Sequence, residues 1–240
     1  MASSKSDNSK NLENPPKPRP IRSYVIRSGR FTDSQRKAID DYWDDYVVAY
    51  SPPPFALGSL FPAGSELVVE IGFGMGDSLL EMARQNPEAN FIGIEVHRPG
   101  VGKLLHGIKA HELSNLRVVC HDATEVMQNC FANESIDKIL ILFPDPWPKK
   151  RHNKRRLVQT EFIELLICKL KCGGLLHLAT DWEAYAEHML TVLEGIDRLE
   201  NRNGPGHFWE QAIRPTSKFE QRAKRLGHGV WDLLFGKKCQ

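Results

Sequence analysis

The chain has no long apolar run, no cysteine pairs at metal-binding spacing and almost no net charge. None of its apolar runs approaches the roughly 18 residues that a membrane span needs, and its N-terminus lacks the apolar core of a signal peptide. Its cysteines are odd in number and show no second ligand pair, which argues against zinc and favours reduced thiols. We therefore expect a soluble, cytoplasmic protein without a metal. The cysteines are Cys120, Cys130, Cys168, Cys172 and Cys239.

The small net charge of +2 excludes a protein that is basic throughout, so any affinity for nucleic acid must come from where the charges lie. A length of 240 residues with 41% hydrophobic content suits one α/β domain with an added tail. The first 20 residues are rich in Ser, Lys, Asn and Pro, which predicts a flexible tail. Such a basic tail either folds onto RNA or only adds solubility, and the sequence leaves both open.

We divide the chain into a flexible basic tail (1–30), an N-terminal helix with a proline-rich linker (31–60) and the main domain (61–240). Thr32 and Gln35 form a capping-box pattern, which predicts a helix from Asp33 to Tyr46. Its aromatic stripe of Ile39, Trp43 and Tyr46 at helical spacing is more typical of packing than of ligand binding.

Apolar runs typical of strands alternate with helical patterns from residue 66 onward. This alternation predicts a doubly wound, mostly parallel α/β sheet with helices on both faces. The predicted strands are 67–71, 90–96, 116–122, 138–143 and 175–180, and the predicted helices are 77–86, 97–112, 123–131, 156–171 and 182–195. Two further strands, at 207–213 and 230–235, are expected to pair antiparallel at the sheet edge, with a helical excursion at 217–226 between them.

The first strand leads into a turn with glycines at 72, 74 and 76, a pattern that lets a ligand approach the backbone. A dinucleotide fingerprint requires a third glycine where this chain has Asp77, whose carboxylate would repel a pyrophosphate. NAD is therefore disfavoured. An acid just before such a turn, here Glu70, resembles instead the first motif of class I S-adenosylmethionine-dependent methyltransferases, whose cofactor carries cationic groups.

Acids end each of the first four predicted strands. Glu95 follows the glycines by about 20 residues, where a carboxylate can accept both ribose hydroxyls. Asp122 can accept from the adenine amino group, and Asp145 follows the fourth strand. A single strand-end acid is more often a helix cap than a ligand. Four acids at the carboxyl ends of parallel strands, including Glu70, predict one shared crevice.

The segment 143–156, which we call the 143–156 loop, joins a rigid acidic turn to a basic run. Its three prolines fix the backbone around Asp145 and Trp147. The eight residues after Pro148, 149–156, hold six cations and no acid, a footprint expected where a phosphate backbone is bound. Trp147 either stacks on an extruded base or packs against the prolines. The expected RNA-binding residues are Lys150, Arg151, His152, Asn153, Lys154, Arg155 and Arg156.

With these features, the chain resembles the tRNA (guanine-N7)-methyltransferase family from Glu70 to Phe235. The motifs that carry the resemblance are Glu70-Ile-Gly-Phe-Gly-Met-Gly76, Gly93-Ile-Glu95, Pro144-Asp-Pro-Trp-Pro-Lys-Lys-Arg-His152, Asp181-Trp182, Ser217-Lys-Phe-Glu220 and Gly227-His-Gly229. The family often has Thr at the position of Ser217, and a hydroxyl is retained. The resemblance implies a seven-stranded methyltransferase sheet, with S-adenosylmethionine as cofactor and a guanosine in the tRNA variable loop as target.

The resemblance also implies roles for individual residues. Cofactor contacts fall on Glu70, the glycine turn, Glu95, Asp122 and Asp145, with Asp145 central to catalysis. Substrate contacts fall on Lys149, Asp181 and Ser217, Lys218, Phe219 and Glu220. The bacterial members that this chain resembles act without a separate protein partner, so we expect a monomer or homodimer that binds tRNA and no membrane.

Two other functions fit parts of the pattern. An RNA-binding module with a degenerate cofactor fold would be expected to lack Glu95 or the glycines, and this chain has both. A methyltransferase acting on a small molecule or a protein would not need six cations in one loop. Guanine N7 carries an unprotonated lone pair, so methylation there needs placement rather than a general base. Asp145 is therefore expected to orient the base and balance its charge.

Overall fold

The computed structural model describes residues 22–24, 31–52, 54–61, 66–210 and 229–239 of the chain. No helix among these residues is both long enough and apolar enough to cross a membrane. The helix expected at 217–226 lies outside the described residues, and so do the predicted substrate residues Ser217 to Glu220.

Seven strands of the described part of the chain form one sheet. They are β1 Leu67–Ile71, β2 Asn90–Ile94, β3 Leu116–Val119, β4 Ile136–Leu142, β5 Leu170–Thr180, β6 Leu199–Asn201 and β7 Trp231–Lys237. Their order in the sheet is β3-β2-β1-β4-β5-β7-β6. Strands β1 to β5 pair in parallel, and β7 runs antiparallel to β5 and β6. The predicted doubly wound, mostly parallel sheet of seven strands is therefore confirmed.

Helices cover both faces of the sheet, and a separate apolar core lies on each. Leu79, Leu104 and Ile39 belong to one core, whereas Val126 and Tyr185 belong to the other. Every residue of β1 is buried, as expected for a central parallel strand. The helices are α1 Asp33–Tyr46, α2 Leu57–Leu60, α3 Asp77–Gln85, α4 Arg98–Ala110, α5 Ala123–Asn129, α6 Thr160–Lys169 and α7 Glu183–Glu194.

Helix α1 has the predicted bounds and the predicted capping box. The Thr32 hydroxyl accepts from the Gln35 backbone N–H at 3.2 Å, and the Gln35 side chain accepts from the Thr32 N–H at 2.9 Å. The helix packs against α4 at Gly102, where a Cβ atom would lie 2.5 Å from the Gln35 carbonyl oxygen. Arg98 of α4 lies over the ring of Trp43, 5.4 Å from its centroid. The aromatic stripe is thus a packing surface, as predicted.

The second half of the chain differs from the prediction in one strand and one helix. The sixth strand of the described chain is Leu199–Asn201, which was not predicted, and left-handed Gly204 and Gly206 turn the chain directly after it. Of the described residues in 207–210, Trp209 forms an isolated bridge to Asp232, and residues from 211 onward lie outside the described range.

The helix predicted at 156–171 is shorter than expected at both ends. Residues Lys150–Arg155 form a 3₁₀ helix, and α6 begins only at Thr160. Strand β5 already begins at Leu170, so Cys172 and its two glycines lie inside a strand. A register shift opposite β4 and a left-handed Gly173 (φ 72°) accommodate them.

Cys172 and Cys239 form a disulfide bond, with Cα atoms 5.0 Å apart. The expectation of reduced thiols is therefore wrong for this pair. Because β5 and β7 are antiparallel neighbours, the start of β5 lies beside the end of β7. This pairing brings together two cysteines that are 67 residues apart in the chain, a proximity that cysteine spacing could not reveal. Cys120, Cys130 and Cys168 are free.

Candidate cofactor and nucleic-acid site

The glycine turn connects β1 to α3 in a conformation that requires glycine. Gly72, Gly74 and Gly76 have φ of 75°, 59° and 74°, in the left-handed region that strains other residues. A Cβ atom on Gly72 or Gly74 would meet nothing within 4 Å. The turn therefore presents open backbone at the point where the strand order reverses, between β1 and β4.

Gly100 is a structural glycine of the site that the sequence motifs did not reveal. It lies in the first turn of α4, and a Cβ atom there would lie 1.8 Å from the carbonyl oxygen of Gly74. The helix can press against the glycine turn only because this side chain is absent. The available signal was a glycine inside a helix, where it costs about 1 kcal/mol relative to alanine.

Glu95 is fixed by three backbone N–H groups. Gly74 donates to Oε2 at 2.8 Å, and Val96 and His97 donate to Oε1 at 2.7 and 2.9 Å. These bonds hold the carboxylate against the glycine turn and orient it without any other side chain. Each carboxylate oxygen retains acceptor capacity, so the group is prepared to receive ligand hydroxyls.

The other two cofactor-side acids occupy different positions. Glu70 is buried at 3% exposure in β1, between Gly93 of β2 and Leu140 of β4. Asp122 is the N-cap of α5 and accepts from the Thr124 N–H at 2.8 Å. The cap interpretation that competes with ligand binding therefore holds for Asp122, and one of its oxygens is already used in this way.

A cavity of about 200 Å³ lies at the carboxyl ends of β1, β2 and β4. Glu95 and Asp145 both line it, so the structure brings these two predicted acids to one space. Asp122 lines a neighbouring cavity of about 630 Å³, which shares Ser23 and Leu157 with the first. The first cavity is lined by Ser23, Tyr24, Ile71, Gly72, Ile94, Glu95, Val96, His121, Ala123, Phe143, Pro144, Asp145 and Leu157.

The 143–156 loop leaves β4 through a strained backbone. Phe143 and Trp147 have φ of 53° and 45°, which is uncommon for residues with a side chain. The Phe143 N–H donates to the Ala179 carbonyl of β5 at 2.8 Å and fixes the start of the loop. Asp145, between these two residues, is exposed. Strain of this kind is found at functional sites, and here it surrounds the predicted catalytic acid.

Arg156 is a buried residue that holds the 143–156 loop in place. It is only 6% exposed, and its Nε donates to the Pro146 carbonyl at 3.0 Å. Its guanidinium lies 4.7 Å from the ring centroid of Tyr185, and burial lowers the pKa of Arg156. Arg156 was predicted to bind RNA, and its burial argues against that role. The side chain instead ties the acidic turn to α7.

Trp147 is half-buried and packs against neighbouring residues. The Arg155 guanidinium lies 3.9 Å from its ring centroid, and the indole Nε1–H donates to the Ser23 carbonyl at 3.0 Å. Of the two alternatives for Trp147, this favours packing. Its partners include an arginine of the basic run and an N-terminal residue, whereas the prediction named the prolines.

The remaining cations of the run face solvent. Lys149, Lys150, Arg151 and Lys154 are exposed, and His152 is half-buried. Burial and the surrounding cations lower the pKa of His152. The basic run thus divides into two arginines that hold the protein together and four exposed cations that are available to a polyanion.

The end of β5 lies beside the loop. Asp181 follows the strand and is half-buried, and Trp182 precedes α7. The Trp182 side chain is 40% exposed, and Met75 of the glycine turn is the other large hydrophobic residue with high exposure in the described part of the chain. The resemblance pointed to Asp181, whereas the exposed face of Trp182 becomes evident only in the structure.

Comparison with known proteins places this geometry in a class. A family profile described as "Putative methyltransferase" matches residues 65–233. The 16S rRNA methyltransferase KamB shares the fold, with a TM-score of 0.56 at 14% identity over 81% of this chain and 99% of that one. The aminoglycoside resistance methyltransferase NpmB1 has a TM-score of 0.53 at 17% identity, over 78% and 95% of the two chains. The chain is a methyltransferase of the class I fold.

Sequence relatives define the family more closely. The tRNA (guanine-N(7)-)-methyltransferase of Serratia proteamaculans (strain 568) is 52% identical over 221 residues, which cover 92% of each chain. The protein of the same name from Yersinia enterocolitica is 51% identical over the same shares. This chain belongs to the tRNA (guanine-N7)-methyltransferase family, and the predictions of that family and of a class that depends on S-adenosylmethionine are confirmed.

Proposed function

We propose that this protein transfers the methyl group of S-adenosylmethionine to N7 of a guanosine in the variable loop of tRNA. The observation that carries the proposal is that Glu95 and Asp145 line one cavity, and that the loop which carries Asp145 continues into four exposed cations. A cofactor site and a surface for a polyanion therefore meet at Asp145. Family membership supports the reaction, and the placement in the variable loop rests on the family resemblance alone.

The residues around the cavity fit the cofactor. Gly72 and Gly74 offer open backbone, and the fixed carboxylate of Glu95 suits ribose hydroxyls. Glu70 and the free capacity of Asp122 complete the proposed cofactor set, with Gly76 shaping the turn. When bound, S-adenosylmethionine supplies an electrophilic methyl group on a sulfonium. The protein itself contributes binding, orientation and negative charge.

Asp145 is proposed to orient the base. Guanine N7 attacks with its own lone pair, so no proton has to be removed before transfer. The purine gains positive charge as the methyl group arrives. A carboxylate held by strained backbone can accept hydrogen bonds from the Watson–Crick edge and stabilise that charge, a contribution that is large in a preorganised site.

The substrate surface is proposed to extend on both sides of Asp145. Lys149, Lys150, Arg151 and Lys154 would contact phosphates, with His152 and Asn153 between them. Asp181 lies at the end of the neighbouring strand, and Ser217 to Glu220 belong to the proposed substrate set by resemblance.

Trp182 is the proposed stacking partner of the extruded guanine. Trp147 is already covered by Arg155, whereas Trp182 is exposed beside Asp181. Base–aromatic stacking is worth about 1 to 3 kcal/mol. Trp182→Ala should therefore raise the KM for tRNA while Trp182→Phe retains most of the function. Equal KM values for Trp182→Ala and the wild type would remove Trp182 from the substrate site.

The deciding experiment is incubation of the protein with labelled S-adenosylmethionine and total tRNA, followed by nucleoside mapping. We expect label in 7-methylguanosine at one position of the variable loop. Label in another nucleoside or in another tRNA region would contradict the proposal. Size-exclusion chromatography with light scattering tests the further expectation of a monomer or homodimer, and activity of the purified protein alone tests the expectation that it needs no obligate protein partner.

A further inference from the structure

Residues Arg22, Ser23 and Tyr24, which we call the 22–24 segment, lie against the 143–156 loop although more than 100 residues separate them in sequence. All three of their consecutive carbonyl groups accept a hydrogen bond from that loop. Arg155 donates from Nε to Arg22 at 3.1 Å and from Nη2 to Tyr24 at 3.3 Å, and Trp147 donates from Nε1 to Ser23 at 3.0 Å. The three donor groups belong to only two side chains, those of Trp147 and Arg155.

Those two side chains form one unit. The Arg155 guanidinium stacks on the Trp147 indole at 3.9 Å, a distance at which the cation and the ring attract each other. Each side chain thereby orients the donors of the other. Because the contacts are made to backbone carbonyls, they fix the path of the 22–24 segment rather than one of its side chains.

The opposite side of the segment faces the cofactor cavity. Ser23 and Tyr24 line the same space as Glu95, Ala123 and Asp145. The Tyr24 hydroxyl accepts from Arg22 at 3.0 Å and interacts with the carboxylate of Asp122. Burial, followed by the charge and hydrogen bond of Asp122, raises the pKa of Tyr24, so the hydroxyl stays protonated and can donate to that carboxylate.

We propose that the 22–24 segment is a wall of the cofactor site, that Tyr24 covers the adenosine half of S-adenosylmethionine, and that Trp147 and Arg155 are positioning residues that hold it there. The location beside Glu95 and Asp122 indicates the adenosine half, since these are the groups suited to ribose and adenine. Cofactor binding and the RNA-facing loop then share one set of hydrogen bonds. This proposal rests on the proposed function.

Binding of S-adenosylhomocysteine to the full-length protein, measured by isothermal titration calorimetry without tRNA, tests the proposal. Arg155→Ala removes two hydrogen bonds and the stack, and it should weaken binding about 5- to 30-fold, since each net hydrogen bond contributes roughly 1 kcal/mol. Tyr24→Ala should have a similar effect. Trp147→Phe keeps the ring but loses the donor, and it should weaken binding about 2- to 5-fold.

Lys150→Ala is the matched control, because it also removes one cation from the loop but contacts neither the segment nor the cavity in the described structure. It should leave the affinity for S-adenosylhomocysteine unchanged and weaken tRNA binding. Circular dichroism of each variant checks the fold, and Trp147→Phe serves as the mild variant if Arg155→Ala unfolds. Trypsin cleavage after Arg22 provides an independent measure, which S-adenosylhomocysteine should slow in the wild type and less so in Arg155→Ala.

The outcomes separate this inference from the proposed function. If Arg155→Ala binds S-adenosylhomocysteine like the wild type but loses affinity for tRNA, Arg155 is an RNA contact and the inference is wrong. If the wild type does not bind S-adenosylhomocysteine at all, the cofactor assignment itself fails. If the wild type binds and methylates tRNA while Tyr24→Ala binds equally well, only the wall formed by Tyr24 is refuted.

Discussion

The two sides of the crevice are built in different ways. On the cofactor side, Glu95 is held by three backbone N–H groups, and left-handed glycines shape the turn. On the substrate side, the 143–156 loop contains one short 3₁₀ helix and is held by the side chains of Arg155 and Arg156. A site built from backbone tolerates few changes, whereas a loop held by side chains can be loosened one hydrogen bond at a time.

The basic run shows the same division on a smaller scale. Arg155 and Arg156 use planar guanidinium groups to bind carbonyl oxygens and to stack on Trp147 and Tyr185. The lysines of the run and Arg151 extend into solvent. A guanidinium suits the positions of Arg155 and Arg156 better than an ammonium, because it has five donors in a fixed plane and is weakly hydrated, while an ammonium is a compact, strongly hydrated charge. Position in the fold decides which arginines are used in this way.

The largest effect should come from Asp145 on the substrate side. Asp145→Ala should slow methyl transfer about 100- to 1,000-fold, because it removes fixed charge from the reacting base. The side chain is exposed, so thermal stability should change little. Single-turnover rates at saturating tRNA measure the effect. Turnover equal to that of the wild type would show that Asp145 takes no part in methyl transfer.

On the cofactor side, Gly100→Ala should disrupt the packing of α4 against the glycine turn. The added Cβ atom would lie 1.8 Å from the Gly74 carbonyl oxygen, so α4 or the glycine turn must move. We expect a loss of about 1 to 3 kcal/mol in the free energy of unfolding, together with weaker binding of S-adenosylhomocysteine. Gly58→Ala is the control, since a Cβ atom there meets nothing within 4 Å. Similar urea midpoints for both variants would contradict this account.

Removing the buried Arg156 side chain, which holds the 143–156 loop, should also lower the stability of the protein. Arg156→Ala removes the buried donors to the Pro146 and Ala184 carbonyls and should lower the free energy of unfolding by about 1.5 to 3 kcal/mol. Lys154→Ala, two residues earlier and exposed, should change it by no more than about 0.5 kcal/mol. Equal effects in urea unfolding would mean that burial of Arg156 does not support the loop.

The smallest effect should come from the exposed cations. Replacing Lys150 and Arg151 by Ala should weaken tRNA binding and reduce the slope of log affinity against log salt by about 0.9 for each duplex phosphate that the protein no longer neutralises. Lys37→Ala, an exposed lysine of α1, is the control. An unchanged slope would exclude these residues from the RNA interface. The division of the basic run into anchoring arginines and exposed cations would then have no role in RNA binding.

Sequence patterns predicted the elements that obey local rules. The bounds of α1 and β1 agree with the predictions, because a capping box and a buried apolar run define them locally. Strand β6 was not predicted, because a three-residue strand carries almost no periodic signal of its own. Its existence depends on the partner strand β7, which lies about 30 residues further along the chain.

The residues of the site likewise fall into those that sequence patterns could predict and those that they could not. Glu95 and Asp145 could be placed at one crevice, because parallel strands end at the same sheet edge. The sequence could not separate Arg156 from its exposed neighbours, since all six cations look alike until burial is known. Gly100 and the 22–24 segment were also missed, because each acts through a residue distant in sequence.

By itself, the sequence determined the fold class, the family, the glycine turn and the acids at the strand ends. These depend on periodicity and on short motifs, which are local properties of the chain. Only the tertiary structure decided which cations face solvent, which tryptophan remains exposed, and that Cys172 meets Cys239. Those properties depend on long-range packing, because the burial of a side chain is set by whatever residues the folded chain brings against it.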